Sequence, residues 1–205
     1  METKINNIKV TVKNGNLATE PADCIVVPEF DSGASYGGVG YAIAHAGMSA
    51  GLEAYDEAVD DKPFAYGDVL VTESGKPGVK LAHAATAGAA DNIQFQVVFK
   101  AVFQILAEAD KLGLKTVALP EIGTGIIGSL TQEQSARAIF CAVQKFACAH
   151  PVSAVEHVVL VVYRGATAPA ERVLSDGSYV EFRNETGQKE FNMAEWLLEM
   201  GLLGR

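Results

Sequence analysis

At 205 residues, 49% hydrophobic and 20% charged, the chain has ordinary globular composition and enough length for one well-buried domain with an appendage. A formal charge of −9 and a pI near 4.9 exclude a surface built to neutralise many nucleic-acid phosphates, which takes clustered Lys and Arg. A single small phosphate ligand held by backbone amides stays compatible with that charge.

The N-terminal stretch Met1-Glu2-Thr3-Lys4-Ile5-Asn6-Asn7 lacks an apolar leader core, and no run approaches the roughly 18 apolar residues of a membrane span. Cys24, Cys141 and Cys148 are odd in number, have no CxxC spacing and sit in apolar stretches, so they read as reduced core thiols. These features predict a cytoplasmic chain without membrane contact.

In chain order, Ile8-Lys9-Val10-Thr11-Val12 alternates like a half-exposed strand and stops at the turn dipeptide Asn14-Gly15. Cys24-Ile25-Val26-Val27 is continuously apolar, as in a strand covered on both faces. A glycine-rich loop follows, Asp31 to Gly40, and leads into Tyr41-Ala42-Ile43-Ala44-His45-Ala46 with helical composition. Gly67 to Thr72 and Val79 to Ala84 read as two strands of a hairpin joined by Ser74-Gly75-Lys76-Pro77-Gly78.

From Asn92 to Leu112 the apolar residues Phe95, Val98, Phe99, Val102, Ile105, Leu106 and Ala109 form a helical stripe that Gly113 ends. Thr116-Val117-Ala118-Leu119 is a strand running into Pro120-Glu121-Ile122-Gly123-Thr124-Gly125-Ile126-Ile127-Gly128, a second glycine-rich turn. Thr131 with Gln134 then predicts a capping box for a helix burying Ile139, Phe140, Val143 and Phe146. Val158 to Tyr163 is the last buried strand.

Beyond it, Arg164 to Ala170 reads as a linker, Ser178 to Phe182 as a strand, and Asn192 as the cap of a helix with Met193, Trp196, Leu197, Met200 and Leu203 on one face. Strands alternating with helices, plus one hairpin, predict an α/β sandwich with a mixed sheet. Ligands of such sheets sit beyond the carboxyl ends of the strands, where both glycine loops belong.

Glycine turns of this kind let the backbone approach a ligand closely, and the helix that follows presents unpaired N–H groups. Gly123-x-Gly125-x-x-Gly128 has the letters of the dinucleotide fingerprint. That motif needs its first glycine at the strand end and an acid closing the next strand, whereas Pro120-Glu121-Ile122 intervene and the next strand runs into Arg164. A Rossmann-type dinucleotide binder is therefore the weaker alternative.

Gly33-Ala34-Ser35-Tyr36-Gly37 matches G-x-S-x-G, yet Pro28 to Ser32 separate it from the strand, unlike a nucleophile elbow. His45, His83, His150 and His157 have neither HExxH spacing nor companions at zinc distances, so no metal and no cofactor is expected.

Taken together the pieces resemble the macro domain family, which binds ADP-ribose. They are Val12-x-x-Gly15-Asn16-Leu17, Cys24-Ile25-Val26, Gly37-Gly38-Val39-x-Tyr41-Ala42-Ile43, Gly67-Asp68-Val69-x-Val71-Thr72, Leu119 to Gly128, and Leu160-Val161-Val162-Tyr163. The likeness covers roughly residues 5 to 165. It implies a three-layer α/β/α sandwich in residues 1–165 and excludes the tail; residues 166–205 read from their own pattern as an extension packed on the domain or at a homodimer contact, the chain being a monomer or such a dimer.

The resemblance also implies a site. Gly37, Gly38 and Val39, next to Tyr36, would form one clamp on a diphosphate, and Ile122, Gly123, Thr124, Gly125, Ile126, Ile127 and Gly128 the other. Asn16 and Leu17 would meet the adenine, with Tyr163 against it, and Phe30 the distal ribose.

Departures from the family pattern fall mainly at that distal end. Asn16 stands where members usually carry an acid, Val27 and Phe30 where they typically carry two asparagines, Gly40 where deacylating and de-ADP-ribosylating members often carry an acid, and Ile127 where an aromatic is common. A binding module for ADP-ribose or a related nucleotide diphosphate is thus expected.

The alternative is a hydrolase of ADP-ribosylated protein, O-acetyl-ADP-ribose or ADP-ribose 1″-phosphate. It rests on Glu29 and Glu121, which follow Val27-Pro28 and Leu119-Pro120 and are expected to face one crevice as an acid–base pair.

Overall fold

Seven short runs rich in Val, Ile and Ala assemble into one sheet in a computed structural model that describes residues 1–34, 37–62 and 64–179. The strands are β1 (Glu2–Ile5), β2 (Ile8–Asn14), β3 (Cys24–Phe30), β4 (Val69–Glu73), β5 (Lys80–Ala87), β6 (Thr116–Pro120) and β7 (His157–Val162), in the order β1-β2-β7-β6-β3-β5-β4. The five central strands run parallel, while β1 on β2 and β4 on β5 are antiparallel. The sheet is mixed, as the hairpin predicts.

Strand period decides which face each residue serves. Along β3, Cys24 and Val26 enter a core shared with α3 (Gln94–Lys111) and α4 (Gln132–Ala149). Ile25 and Val27 enter a second core, under α1 (Val39–His45) and α2 (Ser49–Asp61). Burial of β3 on both faces explains its unbroken apolar run, and the buried and half-buried alternation of Ile8, Lys9, Val10, Thr11 and Val12 explains the pattern in β2.

The Thr131 capping box is formed: the Thr131 side chain accepts from Gln134 N–H at 3.2 Å, and Gln134 Oε1 accepts from Thr131 N–H at 2.9 Å. Gly113, at φ +69, ends α3 as expected.

Four features depart from the sequence reading. β1 contributes one buried apolar residue, Ile5, too little for a periodicity signal, and is held by pairing to β2. In α2 the residues Gly51, Leu52, Tyr55 and Val59 are buried among Ala, Glu and Asp, a sparse stripe that sequence inspection passes over.

Cys148 is exposed in the last turn of α4, where its Sγ accepts from Asn6 Nδ2 at 3.2 Å, so it is no core thiol. Cys24 and Cys141 are buried thiols, and burial pushes Cys24 up to about 12.

The stretch from Arg164 to Ala170 is no simple linker, because α5 (Ala168–Asp176) begins inside it. Pro169 stands in its first turn, where a missing N–H costs nothing, and Ala170, Val173 and Leu174 are buried in the α3/α4 core. Ser178 and Tyr179 stand in a turn; the rest of the expected strand and the helix capped by Asn192 lie outside the described residues. Among the described residues no helix is long and apolar enough to cross a membrane.

Candidate functional site

Beyond the carboxyl ends of the central strands lies a cavity of about 660 Å³. Pro28 and Phe30 of β3, Pro120 of β6 and Val161 of β7 line it, with Ala34, Gly37, Gly38 and Val39 from the loop after β3 and Gly123 to Gly128 from the loop after β6. Tyr163 lines it beside β7, and Thr86, Ala87 and Gln94 line it beside β5. From β7 through β6 and β3 to β5 is three strand spacings, or about 14 Å at ~4.8 Å each.

The loop after β6 is tied down at both ends. Thr124 Oγ1 donates to Glu121 O at 2.8 Å, Gly128 N–H to Gly125 O at 2.8 Å, Leu130 N–H to Gly123 O at 3.0 Å, and Ser135 Oγ to Ile122 O at 2.7 Å. Two of its glycines are required by the backbone: Gly123 has φ +82, and a Cβ on Gly128 would lie 2.0 Å from Gly123 O. Gly125 differs, since a Cβ there meets nothing within 4 Å. Ile126 and Ile127 leave their side chains exposed at the rim.

Glu121 is the one charged residue among the described lining residues. Burial raises its pKa, and Gln132, whose Nε2 lies 3.1 and 3.2 Å from the two carboxylate oxygens, offsets part of that rise. With no cationic side chain in that lining, an anion seated here would be held by backbone N–H groups.

Tyr163 is 63% exposed, so it is no core aromatic. The Arg164 guanidinium lies 5.1 Å from its ring centroid, and Arg164 has φ +52, uncommon for a residue with a side chain.

Of the residues singled out in the sequence, Phe30, Gly37, Gly38, Val39, Glu121, Gly123, Thr124, Gly125, Ile126, Ile127, Gly128 and Tyr163 meet at this cavity, and Tyr36 lies outside the described residues, as does Ser35. The others do not line it. Asn16 is exposed and caps the short 3-10 turn Leu17–Thr19, its Oδ1 accepting from Ala18 N–H at 3.1 Å. Leu17 is buried in the core under α1, and Ile122 in the α3/α4 core.

Glu29 does not line the cavity, contrary to the expectation of a shared crevice. It alternates with Pro28 and Phe30, so strand period turns it to the other face of the sheet. There it is fully buried, with Oε1 3.0 Å from His83 Nδ1. Glu29 and Glu121 do not share the crevice.

Sequence reasoning missed Pro28, Ala34, Thr86, Ala87, Gln94, Pro120 and Val161. The strand-end rule could have found Thr86 and Ala87, at the carboxyl end of β5. Gln94 gives no such signal, being one polar residue at the start of an amphipathic helix.

The family profile described as Macro domain matches residues 26–139, more than half of the chain. The chain belongs to the macro domain family. This macro domain is 35% identical over 139 residues to an uncharacterized protein of Aquifex aeolicus, a match spanning 67% of this chain and 82% of that one. It is 29% identical over 163 residues, 77% of its length, to an uncharacterized protein of Thermotoga maritima, of which it spans only 27%.

Among solved structures the macro domain superposes on the Oceanobacillus iheyensis macrodomain with MES bound at TM-score 0.76 and 19% identity, covering 88% of this chain and 98% of that one. The same macrodomain with ADP gives 0.74, and a Trypanosoma brucei macrodomain in complex with ADP-ribose gives 0.65 at 19% identity, covering 80% and 68%. At such identities the likeness establishes the three-layer α/β/α fold.

Proposed function

We propose that this macro domain binds ADP-ribose or a related nucleotide diphosphate, the diphosphate lying between its two glycine loops. One observation carries the reading: the order of groups along the cavity. An exposed aromatic stands beside β7, glycine loops follow the two middle strands β6 and β3, and a polar recess lies beside β5. A base, a diphosphate and a second sugar, joined in that order, match those stations over about 14 Å. The ADP and ADP-ribose complexes of macrodomains with the same fold support it.

Calorimetric titration with ADP-ribose tests it, and absence of heat at millimolar ligand would count decisively against it. Hydrolysis is not favoured, since Glu29 is engaged by His83 on the opposite face and leaves Glu121 without a carboxylate partner among the described lining residues.

Tyr163→Ala is expected to weaken ADP-ribose about tenfold or more, because stacking of a base on an aromatic is worth roughly 1–3 kcal/mol. As the ring is largely exposed, the melting temperature should barely move. A normal affinity in the variant would place the base elsewhere.

Glu121 sets a pH dependence. Its raised pKa means that acidification removes the one lining carboxylate charge while the diphosphate is still ionised, so affinity should increase as pH falls through the Glu121 pKa. Glu121→Gln should bind a few-fold tighter at neutral pH and lose that dependence, which titrations between about pH 4.5 and 7.5 would read.

A further inference from the structure

At the β5 end of the cavity one buried acceptor is left over. Gln94, the first residue of α3, is 1% exposed and lines the cavity beside Thr86 and Ala87. Its Nε2 donates to Thr86 O at 2.9 Å, and its Oε1 is buried with no hydrogen-bond partner. The amide orientation is fixed by that contact, because the flipped amide would set Oε1 against another acceptor.

Both threonine hydroxyls among the described lining residues are already committed. The Thr86 hydroxyl donates to Ala84 O at 3.3 Å and the Thr124 hydroxyl to Glu121 O at 2.8 Å. Buried acceptors are rarely left unpaired, since an unmade hydrogen bond retains the full cost of desolvation. Of the buried side-chain atoms without a partner among the described residues, Gln94 Oε1 is the one on a residue that lines the cavity, so its missing partner points to the ligand.

We infer that Gln94 Oε1 is a specificity-determining acceptor for a hydroxyl of the sugar beyond the diphosphate. This rests on the nucleotide-diphosphate reading above and goes beyond it. Along the sheet Gln94 stands at the opposite end from Tyr163, where a ligand anchored by its base would place its far sugar.

Gly123 holds the approach open: Gln94 Cγ lies 3.5 Å from where a Cβ on Gly123 would sit. The assignment gives the far sugar a polar partner beside Phe30 of β3, a cavity-lining side chain that cannot accept from a hydroxyl.

The test compares ADP-ribose with ADP, which lacks the far sugar, by calorimetry on the wild type and on Gln94→Met and Gln94→Leu, with melting temperatures alongside. The wild type should prefer ADP-ribose. Both variants should lose about tenfold or more for ADP-ribose while ADP stays within about twofold.

Equal wild-type affinity for the two ligands would overturn the assignment without any variant having to fold. So would variants that lose both ligands equally or neither, the result expected of a merely structural glutamine, and in these cases nucleotide binding itself stands. If the wild type binds neither nucleotide, the binding reading fails and this assignment fails with it.

Discussion

Gly125→Glu is expected to abolish ADP-ribose binding while leaving the fold intact. The position separates the two effects because of its geometry. A Cβ at Gly125 meets nothing within 4 Å and its φ lies outside the left-handed region, so the backbone accepts a side chain. The neighbouring glycines would not serve, since Gly123 has φ +82 and a Cβ on Gly128 would collide with Gly123 O at 2.0 Å.

At Gly125 the new carboxylate would stand where the diphosphate is proposed to lie and would repel its charge. In a partly desolvated cavity with no cationic lining side chain among the described residues, that opposition amounts to several kcal/mol, or at least about a hundredfold in affinity. Calorimetry reads the loss, and an unchanged melting temperature shows that it is local. Retained affinity in a folded Gly125→Glu protein would move the diphosphate away from this loop.

The fold was legible wherever burial leaves a periodic mark. β3, β6 and β7 are buried on both faces and therefore read as unbroken apolar runs, and α3 and α4 carry a full apolar stripe. β1 and α2 leave weak marks, since one is held by pairing and the other buries little besides Leu52, Tyr55 and Val59. The start of α5 depends on Pro169 in a first turn, a signal masked by the surrounding Gly, Ala and Thr.

At the cavity the legible part is what the backbone itself dictates. Glycine loops after strands announce a close approach, and Gly123 and Gly128 prove to be positions where a side chain is excluded. Side-chain direction at a strand end is not announced. Val27-Pro28-Glu29 and Leu119-Pro120-Glu121 look alike in sequence. Yet Glu29 lies within β3 and obeys its alternation, whereas Glu121 has left β6, which ends at Pro120. One residue of strand length therefore separates a cavity carboxylate from a core one.

That core carboxylate carries the second large expectation: removing either partner of the Glu29–His83 pair should cost stability, not chemistry. Both side chains are fully buried, and each ring nitrogen has a partner within hydrogen-bond distance. Nδ1–H donates to Glu29 Oε1 at 3.0 Å, and Nε2 accepts from Thr72 Oγ1 at 2.8 Å. Tyr55 stacks on the ring at 4.8 Å, and its hydroxyl donates to Phe30 O at 2.8 Å, linking the cluster to the strand end under the cavity.

Glu29→Leu or His83→Phe alone leaves a buried polar group facing an apolar one, which costs about 1–3 kcal/mol, and more where the group left behind is charged. For a domain of this size that lowers the melting temperature by roughly 2–12 °C. The double variant Glu29→Leu/His83→Phe should recover part of the loss, because it removes both members of the pair and frees the Thr72 hydroxyl to donate to Gly51 O, 3.4 Å away. Thermal melts of the four proteins form the cycle, and additive losses would mean that the two groups do not depend on one another. Calorimetry on Glu29→Gln below its melting temperature separates a core role from a place in the site: ADP-ribose affinity within about twofold of wild type keeps Glu29 in the core. A large loss in the folded variant would return it to the crevice.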